Sequence, residues 1–226
     1  MRGNTYSKKQ SSEQISRKLS EFIKEIQYKN RNPVDNNVLK MLQEMETNPE
    51  LLFDSQQYLY RSRIVHSKDK LNGEYPFFGF GKDGSFVAPS ECTKDMRANY
   101  RYIPYLYCAT RPYLSVVEVR PRLGARVSVA RIRVNERLRL LDFSLQNYPK
   151  GMKSVKINLF HALSQLYSKP VTEDDDTLDY IPTQYIAEEI KNMGFDGLRF
   201  RSSLNKNGYN VVLFNPDDCV AVSSDL

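Results

Sequence analysis

Ile103-Pro104-Tyr105-Leu106-Tyr107-Cys108-Ala109-Thr110-Arg111-Pro112-Tyr113-Leu114-Ser115-Val116-Val117-Glu118-Val119-Arg120-Pro121 changes character partway along. Ile103 to Ala109 is rich in aromatic and aliphatic residues and reads as a strand. Thr110 is placed to cap a short helix that runs to about Val119. The mostly apolar helix carries a carboxylate, Glu118, which is costly to bury without a partner. A strand passing straight into a short helix sets the pattern for the rest of the chain.

Working outward, Tyr58 to Val65 is aromatic and β-branched, and reads as the strand that opens the main domain. Ser67 to Glu91 forms a long loop containing Gly, Pro and Phe. Arg126 to Val134 and Arg137 to Phe143 read as two strands joined near Asn135-Glu136, with a slip in alternation between Val129 and Ala130 that predicts a bulge. Val155, Leu159, Ala162, Leu163 and Leu166 mark a helix. Pro182 stands in the first turn of a further helix and Gly194 at its stop. Phe195 to Phe200 and Tyr209 to Phe214 read as strands around Asn205-Lys206-Asn207-Gly208. Upstream, Ile15, Leu19, Phe22, Ile23 and Ile26 recur at helical spacing, which predicts an amphipathic helix from Ser12 to about Tyr28. Val38, Leu39, Met41, Leu42 and Met45 predict a second helix ending before Asn48-Pro49. Short strands with helices between them argue an α+β fold. The expected division is a disordered tail at 1–10, a helical arm at 11–56, and the main domain at 57–226. The arm is too small to own a core, so it docks on the rest or supports a homodimer.

The bulk properties exclude several classes. The 226 residues are 40% hydrophobic, enough for one core plus an appendage, with no apolar run of about 18 residues to span a membrane. The sequence starts without an apolar stretch, so no signal peptide is expected. Three scattered cysteines, Cys92, Cys108 and Cys219, fit a reducing cytoplasm. With no Cys-x-x-Cys and only His66 and His161 to assist, no metal is expected. Against 27 acidic residues, 33 basic ones give a net charge of +6. That mild excess favours a solvated surface, or an anionic small substrate or acidic protein partner, over nucleic acid.

Gly79-Phe80-Gly81-Lys82-Asp83-Gly84 spells G-x-G-x-x-G, but no convincing strand precedes it and no helix follows. It reads as a flexible loop, one that can lie over a pocket. Asp174-Asp175-Asp176 reads as a solvated loop. Tyr100, Tyr102, Tyr105 and Tyr107, interleaved with Arg97 and Arg101, have the makings of a base-stacking surface, but most of them read better as core and rim residues. Arg97 is either a surface arginine or a planar fork for phosphate oxygens. Tyr107 is either a core aromatic or a plate for a flat ring. Glu118 is either half of a salt bridge to Arg120 or Arg61, or a catalytic carboxylate. Ser202-Ser203, after a strand, is a turn cap or a hydrogen-bonding pair.

Taken together, these segments resemble the RES domain family, named for its Arg, Glu and Ser. Leu59 to Ile64 resembles its opening strand, Arg97-Ala98-Asn99 its arginine motif, and Leu106-Tyr107-Cys108-Ala109 its Leu-Tyr-x-Ala strand. Ser115 to Glu118 and on to Pro121 resembles the helix with its glutamate. Asp179 to Gln184 and Gly194 to Ser203 resemble the closing helix-strand-serine block. Met96, in place of a glycine, and Pro89-Ser90, in place of two prolines, depart from the pattern. The resemblance implies an ADP-ribosyltransferase-like fold with a mixed, mainly antiparallel sheet. It implies cleavage of the nicotinamide–ribose bond of NAD as substrate, as the toxin of a toxin–antitoxin pair whose antitoxin is a helix-turn-helix protein of the Xre type. In that reading Arg97, Tyr107, Glu118 and Ser202 are catalytic. Arg97 and Arg61 hold phosphate, Tyr107 stacks on nicotinamide, and Ser202 binds substrate or fixes Glu118, with Ser203 as stand-in. Water, phosphate or a macromolecule remains open as acceptor. Mono-ADP-ribosylation of a macromolecule and a non-enzymatic RNA-binding or protein-interaction module are the rival readings.

Overall fold

The computed structural model describes residues 3–33, 35–44, 50–54, 57–66, 79–144, 150–169, 177–205 and 207–225. The helices are α1 (Gly3–Tyr28), α2 (Asn37–Gln43), α3 (Lys82–Ser85), α4 (Pro112–Glu118), α5 (Ser154–Ser168) and α6 (Ile181–Asn192). The strands are β1 (Glu50–Phe53), β2 (Tyr58–Val65), β3 (Leu106–Ala109), β4 (Arg126–Val134), β5 (Leu138–Asp142), β6 (Gly197–Arg201), β7 (Tyr209–Leu213) and β8 (Cys219–Asp225). They form one eight-stranded sheet in the order β1-β5-β6-β7-β3-β2-β4-β8. Only the β5–β6 pair is parallel among these ladders. The fold is α+β with a mainly antiparallel sheet, as expected.

A short link forces that sheet to curl. β4 and β5 lie five strand positions apart, yet Val134 and Leu138 are joined through residues 135–137. In a flat sheet five spacings measure about 24 Å, whereas that link reaches at most about 14 Å. The β2–β4–β8 end therefore folds back over the β5–β6 end, and a core fills the space between. Leu59, Ile132, Val134, Leu106, Leu140, Val211 and Leu213 belong to it. A second core lies on the outer face of β5, β6, β7 and β3, where Leu141, Leu198, Phe200 and Val212 meet the helices.

Alternation along β4 is unbroken, with Ser128, Ala130, Ile132 and Val134 all buried. The bulge expected between Val129 and Ala130 is instead carried by β8, where pairing jumps from Arg131↔Ser223 to Ile132↔Ala221 and leaves Val222 extra. β1 and β8 were not read in the sequence. β1 has four residues, and β8 ends in Ser223-Ser224-Asp225, a poor match to strand composition.

α1 begins at Gly3, not Ser12, so residues 3–10 are helical and not a disordered tail. Once a helix is nucleated, each further residue adds one hydrogen bond, and no apolar stripe is needed to extend it. The apolar stripe Ile15, Leu19, Phe22 and Ile26 is buried in the same core as α5 and α6, with Phe22 and Ile26 fully enclosed. This stripe is used within the chain, so it supplies no dimer face. α6 starts and stops where the sequence indicates, with Pro182 in its first turn and Gly194 in the left-handed region at φ 81°. Asp174-Asp175-Asp176, Ser67 to Phe78, Met45 and Asn48-Pro49 lie outside the described residues.

Candidate active site

The site opens where the sheet splits. β2 pairs with β4 over eight register positions, from Tyr58↔Arg133 to Val65↔Arg126. With β3 it shares one described position, Tyr60↔Ala109. The next rungs would set Arg61 opposite Cys108 and Ser62 opposite Tyr107. Those rungs are open, and all four residues line a cavity of about 670 Å³. α4 packs on β2 beside the split. Ser115 Oγ donates to Pro112 O at 2.7 Å and accepts from Ser62 Oγ at 2.7 Å, joining helix to strand. α4 is capped by Arg111 without a side-chain bond, not by Thr110. Thr110 Oγ1 instead accepts from Tyr209 N at 3.2 Å, extending the β3–β7 ladder. Gly208 lies under α4, and a Cβ there would overlap Leu114 Cδ2, so any larger residue would force the buried Leu114 to shift.

Glu118 ends α4 and faces the cavity. Its Oε1 accepts from Ser202 Oγ at 2.6 Å and Asn210 Nδ2 at 2.8 Å. Among the described residues it forms no ion pair with Arg120 or Arg61. Ser202 is buried, and its Oγ also accepts from Leu204 N at 3.0 Å and Asn205 N at 3.3 Å. It is therefore both turn cap and holder of Glu118, and it does not itself line the cavity. Ser203 does.

Tyr107, on β3, is fixed by its own set of bonds. Its OH donates to Asn99 Oδ1 at 2.8 Å and accepts from Ala98 N at 3.0 Å. Burial raises the phenol well above its ordinary range, so it stays protonated and keeps donating. Asn99 is fully buried, and its Nδ2 donates to Lys94 O and Tyr100 O. Gln184 Nε2 from α6 reaches Asn99 O at 2.8 Å and Met96 O at 3.0 Å. The loop between Thr93 and Tyr105 is thus pinned from within and from α6.

Arg97 lines the cavity, but its NH1 donates to Leu166 O at 2.9 Å and NH2 to Lys169 O at 2.7 Å. Two of its five N–H groups therefore grip the C-terminal end of α5, where orphan carbonyls and the helix dipole favour a cation. Arg61 donates from NH1 to Ser85 O at 2.8 Å, tying the G-x-G-x-x-G loop to β2. Burial lowers the pKa of its guanidinium below the usual arginine value. That loop includes one helical turn, α3, and residues Val87 and Ala88 beyond it form part of the cavity wall. Arg120 lines the cavity with its backbone at φ 48°, a left-handed conformation that costs a non-glycine residue about 1–2 kcal/mol.

One cavity thus brings together Arg61, Arg97, Tyr107, Glu118 and Ser203, with Ser202 behind Glu118. Cations dominate its charge: Arg61, Lys94, Arg97, Arg120 and Lys169 face one carboxylate, Glu118. Sequence reasoning gave no role to Asn99, Gln184 or Asn210. Asn210 carried a signal, since asparagine is depleted in strands and stands here inside Tyr209-Asn210-Val211-Val212-Leu213. Among the described residues no helix is long and apolar enough to cross a membrane.

No curated protein matches the chain. A chain of the M. tuberculosis MbcT–MbcA toxin–antitoxin complex is similar in structure, with 14% sequence identity and a TM-score of 0.44. That match covers 85% of this chain and 92% of the other. The family model of the RES domain matches residues 59–225, from the second residue of β2 to the last of β8. The chain belongs to the RES domain family.

Proposed function

We propose that this protein cleaves the bond between nicotinamide and ribose in NAD. The observation that carries the proposal is the cation-lined cavity at the β2/β3 split, which holds an anchored carboxylate and an anchored aromatic ring together. Its volume of about 670 Å³ falls within the ~300–1,000 Å³ of small-molecule sites. The pyrophosphate would lie among the cations, as P–O⁻ groups are drawn to guanidinium and ammonium donors. The nicotinamide would stack on Tyr107. Its C–N bond breaks with the electron pair leaving on the ring nitrogen, which neutralises the pyridinium. No proton donor is needed for this departure. The sugar becomes cationic, as in other glycosyl cleavages. Glu118, with Oε1 held by Ser202 and Asn210, would turn Oε2 toward the ribose hydroxyls and stabilise that charge. The acceptor then adds to the sugar carbon and loses its proton to solvent.

Family membership supports reading this activity as a toxin's, restrained by an antitoxin, with one of the Xre helix-turn-helix type as the expected partner. Incubating the protein with NAD and resolving the products by mass tests the reaction and its acceptor. Nicotinamide with ADP-ribose means water is the acceptor, and ADP-ribose 1-phosphate means phosphate. Label retained on a macromolecule means transfer. Intact NAD under all conditions would contradict the proposal.

A further inference from the structure

Asn210 is oddly placed for a residue that serves only the fold. It sits on β7 opposite Ala109 of β3 and Phe200 of β6, inside the sheet and on the cavity wall. Its Nδ2 donates to Glu118 Oε1 at 2.8 Å, while its Oδ1 is buried without a hydrogen-bond partner among the described residues. Such an orphan acceptor costs about 1–3 kcal/mol. Turning the amide over would pair nothing better, since it would set Oδ1 against the carboxylate. An aliphatic side chain of similar volume would avoid the cost and suit a strand interior better. The expense is therefore explained by what the NH₂ group does for Glu118.

We infer that Asn210 is a positioning residue, which with Ser202 fixes one oxygen of Glu118 so that the other is presented to the ligand. Two donors on Oε1, from β7 and from the turn after β6, hold the carboxylate in one rotamer. The cations lining the same cavity are Arg61 from β2, Lys94 and Arg97 from the pinned loop, Arg120 beyond α4, and Lys169 beyond α5, the last paired with Asp179 at 3.4 Å. Without its donors the carboxylate would be drawn toward any of these cations and away from the substrate position. The role rests on the proposed NAD cleavage for its catalytic consequence, but not for its geometric one.

Asn210→Leu tests it, with Asn210→Asp as a second variant that keeps the shape and removes the donor. In Asn210→Leu the melting temperature is expected to equal or exceed that of the wild type, because the orphan acceptor is gone. Crystals of the variant should show the Glu118 carboxylate displaced or in more than one conformer. If the wild type releases nicotinamide, kcat should fall about 100-fold, the scale of a 1 Å misplacement, with KM changed little. Asn210→Asp should lose at least as much rate, since it sets a second carboxylate against Glu118. Glu118 unmoved in Asn210→Leu crystals would overturn the inference whatever the activity. So would a variant as active as the wild type, or one whose lost rate merely follows a lowered melting temperature. A wild type that leaves NAD intact counts against the reaction alone, since the crystal readout still decides the positioning role.

Discussion

At the scale of single residues, the site is built by polar side chains that hold other side chains in place. Asn99 holds Tyr107, and Ser202 and Asn210 hold Glu118. Tyr107→Phe would leave the buried Asn99 Oδ1 and the Ala98 amide without their phenol partner. We expect urea denaturation to show a loss of about 1–3 kcal/mol; an unaltered midpoint would mean that water replaces the phenol. Arg120 makes the opposite trade. Its left-handed backbone favours glycine, so Arg120→Gly should raise the melting temperature while weakening substrate binding, read as a higher KM. A KM equal to the wild type's would remove Arg120 from the binding surface. The reactive residue types were legible in the sequence, because a carboxylate in an apolar helix and an arginine beside a buried aromatic strand stand out. Their holders were less so, since Asn99 and Asn210 act through bonds to residues distant in the chain or hidden in a turn.

At the scale of elements, placement depends on a few close contacts. Gly208 admits Leu114, and through it sets α4 and Glu118 on the sheet. Gly208→Ala should preserve the far-ultraviolet circular dichroism and reduce nicotinamide release at least tenfold; full activity would show that α4 adapts. Arg97 joins the Thr93–Tyr105 loop to the end of α5. Its planar fork reaches two carbonyls at once, a geometry that lysine cannot copy. Both Arg97→Lys and Arg97→Ala should therefore speed amide hydrogen exchange across that loop. Unchanged exchange with weakened NAD binding would assign Arg97 to phosphate alone. The elements themselves were largely legible, since β2, β3, α4, α5, α6, β6 and β7 each carry a local period or a punctuating Pro or Gly. Within the G-x-G-x-x-G stretch a single helical turn, Lys82–Ser85, packs on β8 and β4, while the residues just before Gly79 lie outside the described ones.

At the scale of the whole molecule, the curl of the sheet creates the cleft, and local sequence does not encode it. β4 and β5 look like neighbours across Asn135-Glu136, but pair with β2 and β8 on one side and with β1 and β6 on the other. That arrangement follows only from long-range pairing. The parallel β5–β6 join is fastened by Arg199 and Asp142, with Arg199 NH2 and Nε on the two carboxylate oxygens and Ser144 Oγ alongside. The pair is nearly enclosed, and Arg199 also lies over the ring of Tyr209 at 4.7 Å. Asp142→Asn would remove the carboxylate that neutralises the buried Arg199 guanidinium, at a cost of about 3–5 kcal/mol in unfolding free energy.

In the proposed reaction the β2/β3 split holds the nicotinamide riboside end of NAD between Tyr107 and Glu118. A crystal structure with a non-cleavable carbocyclic analogue of NAD tests it most directly. The nicotinamide ring is expected against Tyr107, the ribose hydroxyls within hydrogen-bond reach of Glu118, and the pyrophosphate among Arg61, Arg97 and Arg120. Analogue bound elsewhere on the molecule, with the split empty, would contradict it.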